Sequence, residues 1–589
     1  MKNKLSSVLT GNYRINWKLF VRIGKLHAII SRNLINIFVT ICLLGVCILE
    51  QYVGYKTGLV AGAFYEVLLN KDTEGFKATA IHSFGVILGI AVVKTVRMYV
   101  AKILSVFWRR TLTTNLHNLY FDADSYYKVN VLIKELGLDN PDQRMTSDVD
   151  TFCLVYGEMI ARLIISPFTI GFYTWDAYTR SGWIGPIGVF IYFILGCFVN
   201  LFLMSPVSQR VFFMEKNEGD FRFKHMFLRE KAEEIAFSNS AIIESIKTNK
   251  LLKSLIKSQL SVYTWEILLD LWINIFDYVG AIISYLIIAV PVFTGFYDSL
   301  DQAKLGNQIS QNSFVCMTLI YNLSQLVDLA SKFANMAGVT HRMIELVEIL
   351  EKHNSNPTFF KDNAICTNDK DPHMFETMIN LENIILKIPS PTTPRVLIDN
   401  LNLSIKTGDR ILITGASSSG KTSLLRLIRG LWPTVEGSIS FFTDSIEFLS
   451  QRPLMTDGSL LQNMIYPSEV PISPDLIWFK DQLTRFNLEH LYKQYDLFQY
   501  QNRWEDILSP GEMQRICFIR VFYHRPQVVL LDESTASLPT NIEAMLYEYL
   551  IITCPKITIL SVGHRDSLRK YHMKELQLQC NGEWELKQI

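Results

Sequence analysis

Long apolar stretches separated by polar segments dominate the first part of the chain. Windows of about 20 apolar residues, the length that a helix needs to cross a bilayer, lie near residues 33–55, 79–103, 155–179, 183–204, 268–295 and 313–338. The connections after the second and fourth windows are long, polar and poor in glycine and proline, so they predict helices that continue out of the membrane. This pattern predicts a polytopic α-helical membrane domain with six transmembrane helices over residues 33–345.

Positive charge is distributed unevenly between the two sides of these windows. The segments 1–32, 105–153 and 205–263 contain seven, five and ten Lys or Arg residues, whereas the three opposite loops contain five together. Because short loops rich in Lys and Arg stay in the cytosol, both termini and the long connections are expected there. Near the tip of the first connection, residues 138–144 form a proline-containing turn whose charged residues are expected to dock on a partner surface.

The N-terminal segment 1–32 is basic and carries no acidic residue. We expect no cleavable signal peptide, since a long apolar core is also missing. Leu19, Phe20, Ile23, Leu26 and Ile30 recur at helical spacing, which predicts an amphipathic helix. Two interpretations are equally compatible with this spacing: a helix lying on the membrane surface, or a helix that packs against the first span.

Polar residues interrupt several of the predicted spans, where they are costly unless they face a bundle interior or a water-filled path. For each one, pairing between helices or a place at the lipid boundary is the favoured interpretation over contact with a cargo. Together, so many ionisable groups favour a polar or bulky cargo. The residues are Lys94, Arg97, Glu158, Arg162, Asp270, Asn274, Asp277, Asn322 and Gln325.

A different pattern begins after residue 345. Residues 346–376 collect Asn, Asp, Lys and Pro and predict a linker, and residues 377–589 follow as a separate domain. Residues 379–388 and 396–405 alternate apolar and polar positions like strands, and Ile411–Ile413 is a short apolar strand before a glycine-rich loop. Strands and helices of this kind predict an α/β nucleotide-binding domain.

The glycine-rich loop is the strongest chemical signal in the chain. It follows a strand and opens a helix, as a phosphate-binding loop (P-loop) does, so its backbone N–H groups can surround the phosphates of ATP. Lys421 is expected to reach the terminal phosphates, and the Thr422 hydroxyl is expected to bind Mg²⁺. The predicted nucleotide-binding residues of the loop are Gly415, Ala416, Ser417, Ser418, Ser419, Gly420, Lys421, Thr422 and Ser423.

Further motifs follow in the order of an ATP-binding cassette. Asp532 ends an apolar strand and is expected to hold Mg²⁺ together with Gln451, and Glu533 is the predicted base that activates the attacking water. His564 is expected to hydrogen-bond the γ-phosphate, and we therefore predict catalytic roles for Glu533, His564 and Gln451.

Residues 508–514 indicate that one chain cannot complete an ATP site by itself. Ser509, Gly511 and Glu512 begin a helix whose N-terminus offers free N–H groups to an anion. In a cassette dimer that anion is the γ-phosphate bound by the other subunit. The sequence thus predicts two ATP molecules and two Mg²⁺ ions between paired cassettes.

Composition excludes several other classes of function. Of the 589 residues 49% are hydrophobic and 19% charged, which is too apolar for an ordinary soluble enzyme. The net charge of +1 argues against a nucleic-acid partner. Nine cysteines without a Cys-x-x-Cys pair are expected to be reduced thiols rather than a disulfide framework or a zinc site.

These motifs resemble the D subfamily of ATP-binding cassette half-transporters, an exporter-type architecture. The resemblance rests on Asn140–Arg144, Glu233–Phe237 and the cassette motifs, and it extends from about residue 15 to the C-terminus. Five stretches are similar to the branch of this subfamily that exports cobalamin (vitamin B12) from lysosomes: Glu218–Met226, Asn274–Asp277, Leu508–Arg515, Ser561–Arg565 and Trp584–Leu586.

The resemblance implies a homodimer in the lysosomal membrane that moves cobalamin from the lumen to the cytosol at the expense of ATP. It also implies a separate membrane escort protein, with the endoplasmic reticulum membrane as a second location. Peroxisomal relatives transport fatty acyl-CoA, but they carry a more apolar N-terminal region than the basic one found here. An acyl-CoA transporter is the alternative within the class, and an ATP-switched membrane scaffold or channel without pumping is the alternative from another class.

Two departures from the family pattern change what is expected of the cassette. The run after Glu533 ends in Leu538 and Pro539, where the family has an aspartate that reaches across the dimer, and proline supplies no carboxylate and no backbone N–H. Slow turnover is the resulting hypothesis. The aromatic residue that stacks on adenine in many relatives is also not evident among residues 389–394, so base recognition is expected to use weaker contacts.

Overall fold

The computed structural model describes residues 17–132, 141–298, 300–355, 377–388, 395–432, 436–443 and 445–589. The chain divides into two compact units. The membrane unit comprises residues 1–117 and 142–346, and the cassette unit comprises residues 118–141 and 347–589. Residues 389–394, where many relatives have an adenine-stacking aromatic residue, lie outside the described residues.

Long helices build the membrane unit. Their bounds are α1 Trp17–Ile30, α2 Leu34–Leu69, α3 Thr73–Phe121, α4 Val149–Ser181, α5 Ile184–Glu230, α6 Ala232–Phe237, α7 Ala241–Phe293 and α8 Gln302–Ser355. The helices exceed the predicted spans because the long polar connections continue them, as in α3, α5 and α7. A buried cluster that includes Tyr173, Val189 and Leu319 forms part of the core between α4, α5 and α8.

Five segments of the described residues are long and apolar enough to cross a membrane: Leu34–Leu69, Thr73–Phe121, Pro141–Ser181, Ile184–Met204 and Ala241–Phe293. They coincide with the first five predicted windows. The sixth window, 313–338, lies within α8, which is a single continuous helix but is not among these five. The sixth span therefore stays a prediction.

Helix α1 turns its apolar face toward other parts of the membrane unit. Leu19, Leu26 and Ile30 are at most 1% exposed, and the ring nitrogen Nδ1 of His27 lies 3.2 Å from the Tyr156 hydroxyl. Because protein covers this face, the structure favours the interpretation in which the helix packs against the bundle.

The turn after α3 differs from its prediction. Arg144 was expected to be available for docking, but it is buried: its guanidinium lies 2.8 Å from a carboxylate oxygen of Glu345 and donates to the Arg342 carbonyl oxygen. That expectation is wrong for Arg144, because a buried guanidinium needs a carboxylate partner within the fold. Asp142 is exposed, and residues 138–140 lie outside the described residues.

Another part of the same connection contacts the nucleotide-binding domain inside the cassette unit. Tyr127 and Leu132 pack against its buried apolar cluster, and the indole Nε1 of Trp432 donates a hydrogen bond of 3.1 Å to the Tyr127 hydroxyl. This segment, Tyr127–Leu132, therefore forms a direct link between the end of α3 and the cassette.

The cassette unit contains two sheets. Its strands are β1 Thr377–Lys387, β2 Val396–Lys406, β3 Arg410–Gly415, β4 Glu436–Phe441, β5 Ile446–Leu449, β6 Val528–Asp532, β7 Thr558–Val562, β8 Lys574–Leu578 and β9 Trp584–Gln588. An antiparallel sheet has the order β2-β1-β4, and a six-stranded sheet has the order β5-β6-β7-β3-β8-β9, parallel except for β9. This confirms the predicted α/β class.

The principal helices of the cassette are α9 Lys421–Ile428, α10 Leu460–Ile465, α11 Leu476–Arg485, α12 Glu489–Gln494, α13 Pro510–His524 and α14 Thr540–Thr553. Strands β6 and β7 are buried at every residue, which explains their continuous apolar sequences. Since parallel strands end at the same edge of a sheet, the loops after β3, β6 and β7 meet there.

Candidate functional site

The loop between β3 and α9 folds as the glycine-rich sequence predicts. Gly415 has φ 138°, and a Cβ atom at this position would lie 2.2 Å from the Leu578 carbonyl oxygen, so only glycine fits. Ser418 and Gly420 also have positive φ angles, 67° and 99°. Within the described residues, the buried Ser419 hydroxyl has no hydrogen-bond partner. Such an unsatisfied donor within the loop fits a bound phosphate.

Lys421 begins α9 and is 7% exposed. Its ammonium donates to the carbonyl oxygens of Gly415 and Ala416, at 2.8 and 2.9 Å. Burial lowers the pKa of Lys421, although the nearby carboxylates of Glu533 and Asp532 act in the opposite direction. The loop thus holds a cation at its centre, where a polyphosphate would replace the two carbonyl contacts.

Thr422 and Asp532 form the part of the site that suits a metal ion. The Thr422 hydroxyl donates to Asp532 Oδ1 at 3.0 Å, and burial raises the pKa of Asp532. A divalent cation would favour the ionised carboxylate. One hydroxyl and one carboxylate fit Mg²⁺, which is commonly held by few protein ligands together with phosphate oxygens.

Glu533 follows β6 in a left-handed backbone conformation, with φ 46°. One carboxylate oxygen accepts a hydrogen bond from the Gln451 amide at 2.8 Å, and the other lies 3.4 Å from His564 Nε2. A positive φ is unfavourable for a residue with a Cβ and is often found at functional sites. The structure thus brings together the three residues for which catalysis was predicted.

Ser509 caps the N-terminus of α13. Its side chain and that of Glu512 form a capping box: the Ser509 N–H and hydroxyl each lie 2.8 Å from Glu512 Oε2. Burial would raise the pKa of Glu512, but hydrogen bonds from Ser509 and His490 hold it below its usual value. Glu512 therefore supports the cap, and its carboxylate is not a group that would itself attract a phosphate.

The segment between Glu533 and α14 is held by residues that sequence reasoning did not assign. The Arg565 guanidinium donates to the carbonyl oxygens of Leu538 and Ala536 at 2.8 and 2.9 Å, and the Gln514 side chain accepts from the Ser537 N–H at 3.1 Å. Arg565 directly follows a recognised motif and Gln514 ends one, yet motif spacing gives no information on which backbone groups they contact. These contacts join the first turns of helix α13 and the His564 loop to residues 536–538, directly before Pro539.

The predicted site residues fall into two groups. Hydrogen bonds or the 3.4 Å ion pair connect Lys421 with its loop, Thr422 with Asp532, and Glu533 with Gln451 and His564. Among the described residues of one chain, no hydrogen bond or ion pair joins Ser509 or Gly511 to those residues. The start of α13 thus lies apart from the phosphate loop of its own chain in the hydrogen-bond network.

Comparison with known proteins agrees with this arrangement. Residues 27–293 match the family "ABC transporter transmembrane region 2", and residues 398–536 match the family "ABC transporter". A solved bacterial Atm1-family ABC exporter with ATP bound shares the fold, with a TM-score of 0.71 over 92% of this chain and 94% of that chain at 14% identity.

Curated relatives are similar over nearly their full length. The human "Lysosomal cobalamin transporter ABCD4" is 40% identical over 577 residues, 95% of this chain and 94% of that protein. "ABC transporter D family member 3" of Dictyostelium discoideum is 27% identical over 98% of this chain and 90% of that protein. The chain therefore belongs to the D subfamily of ABC transporters.

Proposed function

We propose that two copies of this chain form a homodimer with two composite ATP sites. The chain is an ATP-hydrolysing half-transporter, and such a half must pair to complete a transporter. The separation of Ser509 and Gly511 from the Lys421 loop supports this pairing, because the free N–H groups at the start of the 15-residue helix α13 then point to an ATP bound by the partner.

Within each site, Lys421 and the loop N–H groups bind the phosphates, and Thr422 and Asp532 hold Mg²⁺ with Gln451 beside it. Mg²⁺ neutralises negative charge on the phosphates when bound. Glu533 accepts a proton from the attacking water, and His564 hydrogen-bonds the γ-phosphate. The observation that supports these roles best is the position of the Glu533 carboxylate between Gln451 and His564, at 2.8 and 3.4 Å.

The proposed cargo is cobalamin, moved from the lysosomal lumen to the cytosol. This proposal rests on the 40% identity to the human lysosomal cobalamin transporter over 95% of the chain. The excess of Lys and Arg on the N-terminal side supports a cytosolic cassette. A membrane escort protein that carries the chain to the lysosome belongs to the same proposal.

The test is transport across the membrane of proteoliposomes that contain the purified chain. Labelled cobalamin and fatty acyl-CoA are supplied in parallel, with and without ATP. We expect ATP-dependent movement of cobalamin across the membrane in the cassette-distal to cassette-proximal direction. Movement of acyl-CoA alone would identify a peroxisomal type of transporter and refute the proposed cargo.

A second candidate is an ATP-switched membrane scaffold or channel. Pro539 favours it, because proline at the N-cap of α14 makes no side-chain cap hydrogen bond and cannot replace the aspartate of the family. Glu533→Gln distinguishes the two functions: sustained transport stops in a pump, whereas a switch that needs only ATP binding keeps its activity.

A further inference from the structure

A cavity of about 520 Å³ lies inside the membrane unit, lined by residues of α2, α3, α4 and α8. On α2 its lining extends from Leu43 to Gly58, the central part of a helix that covers Leu34–Leu69. The cavity therefore lies near mid-membrane depth rather than at a helix end. Six of the polar residues that the sequence places in spans line this cavity, including Asn322 and Gln325. Asp270 and Asn274 do not line it, and the side chain of Asp277 lies outside the described part.

The charged side chains of the cavity lining are three cations and two carboxylates: Lys94, Arg97, Arg162, Glu50 and Glu158. Both carboxylates have a cationic partner. Glu50 lies 2.6 Å from Arg97 Nε, with both side chains largely buried, and Glu158 lies 2.8 Å from Lys332 Nζ on α8. Because Lys332 lies outside the lining, two of the three lining cations remain without a carboxylate partner among the described residues.

Lys94 and Arg162 are these two cations. Within the described residues, neither side chain lies within 4.0 Å of a carboxylate oxygen. Arg97, the third cation of the lining, is paired with Glu50. A cation at membrane depth is unfavourable unless it has a counter-ion or water. Two cations held in a cavity, with the nearby carboxylates already engaged, therefore suit an anionic group of a ligand.

The uncharged polar groups add a second kind of recognition. Gln51, Asn322 and Gln325 supply carboxamides, which both donate and accept hydrogen bonds. The Asn322 Nδ2 already donates to the Thr318 carbonyl oxygen at 2.9 Å, which leaves its amide oxygen as an acceptor. Tyr173 and Tyr321 complete the wall with aromatic surface. Such a wall suits a large ligand with its own amides.

We propose that this cavity forms part of the cargo site in each protomer, and that Lys94 and Arg162 bind a single phosphodiester of the cargo while the amides bind the carboxamides next to it. The inference rests on the proposed function. Cobalamin matches this chemistry, because it carries one phosphodiester and several primary carboxamides. Acyl-CoA carries a pyrophosphate and a further phosphate, more negative charge than these two cations balance.

The experiment compares cobalamin with cobinamide, which has the same corrin ring and amides but no phosphodiester. ATP-dependent transport is measured in proteoliposomes of the full chain as a function of substrate concentration. The test variant is Lys94→Gln/Arg162→Gln, and the charge-conserving control is Lys94→Arg/Arg162→Lys. Lys102→Gln, on the same helix but outside the lining, is the matched control for loss of a cation.

The natural chain and Lys102→Gln are expected to prefer cobalamin over cobinamide. The double Gln variant raises the half-saturating concentration of cobalamin about 10-fold to 100-fold and leaves that of cobinamide unchanged, so that the preference disappears. The charge-conserving variant retains most of the preference.

Three results would overturn the inference: no preference in the natural chain, an unchanged preference in the double Gln variant, or an equal loss for both substrates. Failure of the proposed function is a separate result, since the natural chain would then transport neither corrinoid. ATP-dependent transport of acyl-CoA instead of the corrinoids would also refute the inference that the cavity binds a cargo with a single phosphodiester.

Discussion

A buried histidine in the cassette makes its stability depend on pH. His572 is 6% exposed, and its two ring nitrogens lie 2.8 Å from the Leu568 carbonyl oxygen and 2.9 Å from the Ser561 hydroxyl. The Tyr547 hydroxyl lies 3.0 Å from the same Ser561 oxygen. All groups are satisfied if Nδ1 donates to Leu568, Ser561 donates to Nε2, and Tyr547 donates to Ser561. A second proton on His572 would break this chain at Nε2.

The size of the effect follows from the shift in the pKa of His572. Burial lowers it from 6.5 to about 4, and each pKa unit corresponds to about 1.36 kcal/mol. Between these two values the unfolded chain binds a proton that the folded domain does not. The stability contribution is therefore complete above about pH 6.5 and is lost as the pH falls toward 4, by about 3 kcal/mol in total.

The measurement is the free energy of unfolding of the cassette in the detergent-solubilised chain, by pulse proteolysis in urea at pH 7.5 and 4.5. His572→Gln removes the titrating group, so the effects of other groups cancel in the difference between the natural chain and the variant. On acidification from pH 7.5 to 4.5, the natural chain should lose about 2–3 kcal/mol more unfolding free energy than His572→Gln. Tyr547→Phe, which keeps His572, should be less stable by about 1 kcal/mol at both pH values. A difference between His572→Gln and the natural chain that does not change with pH would refute the reasoning.

Three further substitutions test the cassette. Glu533→Gln keeps the shape of the side chain but cannot accept a proton, so ATP hydrolysis should fall about 100-fold to 10,000-fold while ATP binding, measured by equilibrium dialysis, persists; a rate close to that of the natural chain would exclude Glu533 as the base. Pro539→Asp restores the family's carboxylate and should raise the rate of ATP hydrolysis, and an unchanged rate would contradict the hypothesis of slow turnover. Tyr127→Phe removes the 3.1 Å hydrogen bond from Trp432 and should reduce the stimulation of ATP hydrolysis by cargo more than the basal rate; an equal loss of both would show that the contact is only structural.

The cassette was predictable from the sequence because its chemistry follows the ends of buried parallel strands. Ile411–Ile413 lies within β3, and Asp532 ends β6, so the apolar runs located the polar residues after them. The proximity of Gln451, Glu533 and His564 follows from the same edge of one sheet. The roles of Arg565 and Gln514 could not be predicted, because backbone groups have no sequence signature: Arg565 donates to backbone carbonyl oxygens, and Gln514 accepts from the Ser537 N–H.

In the membrane unit, the sequence pattern does not predict which charged residues pair between helices. Lys94 and Arg97 are three residues apart, and Glu158 and Arg162 are four apart, so each pair necessarily shares one helix face. Spacing cannot tell which faces of α3 and α4 meet, since that depends on the packing of whole helices. Glu50 shows the consequence: it was not singled out in the sequence, yet it neutralises Arg97 at 2.6 Å. That pairing decides which cations remain free to bind an anionic group, and hence the class of cargo that the cavity accepts depends on a contact that only the fold defines.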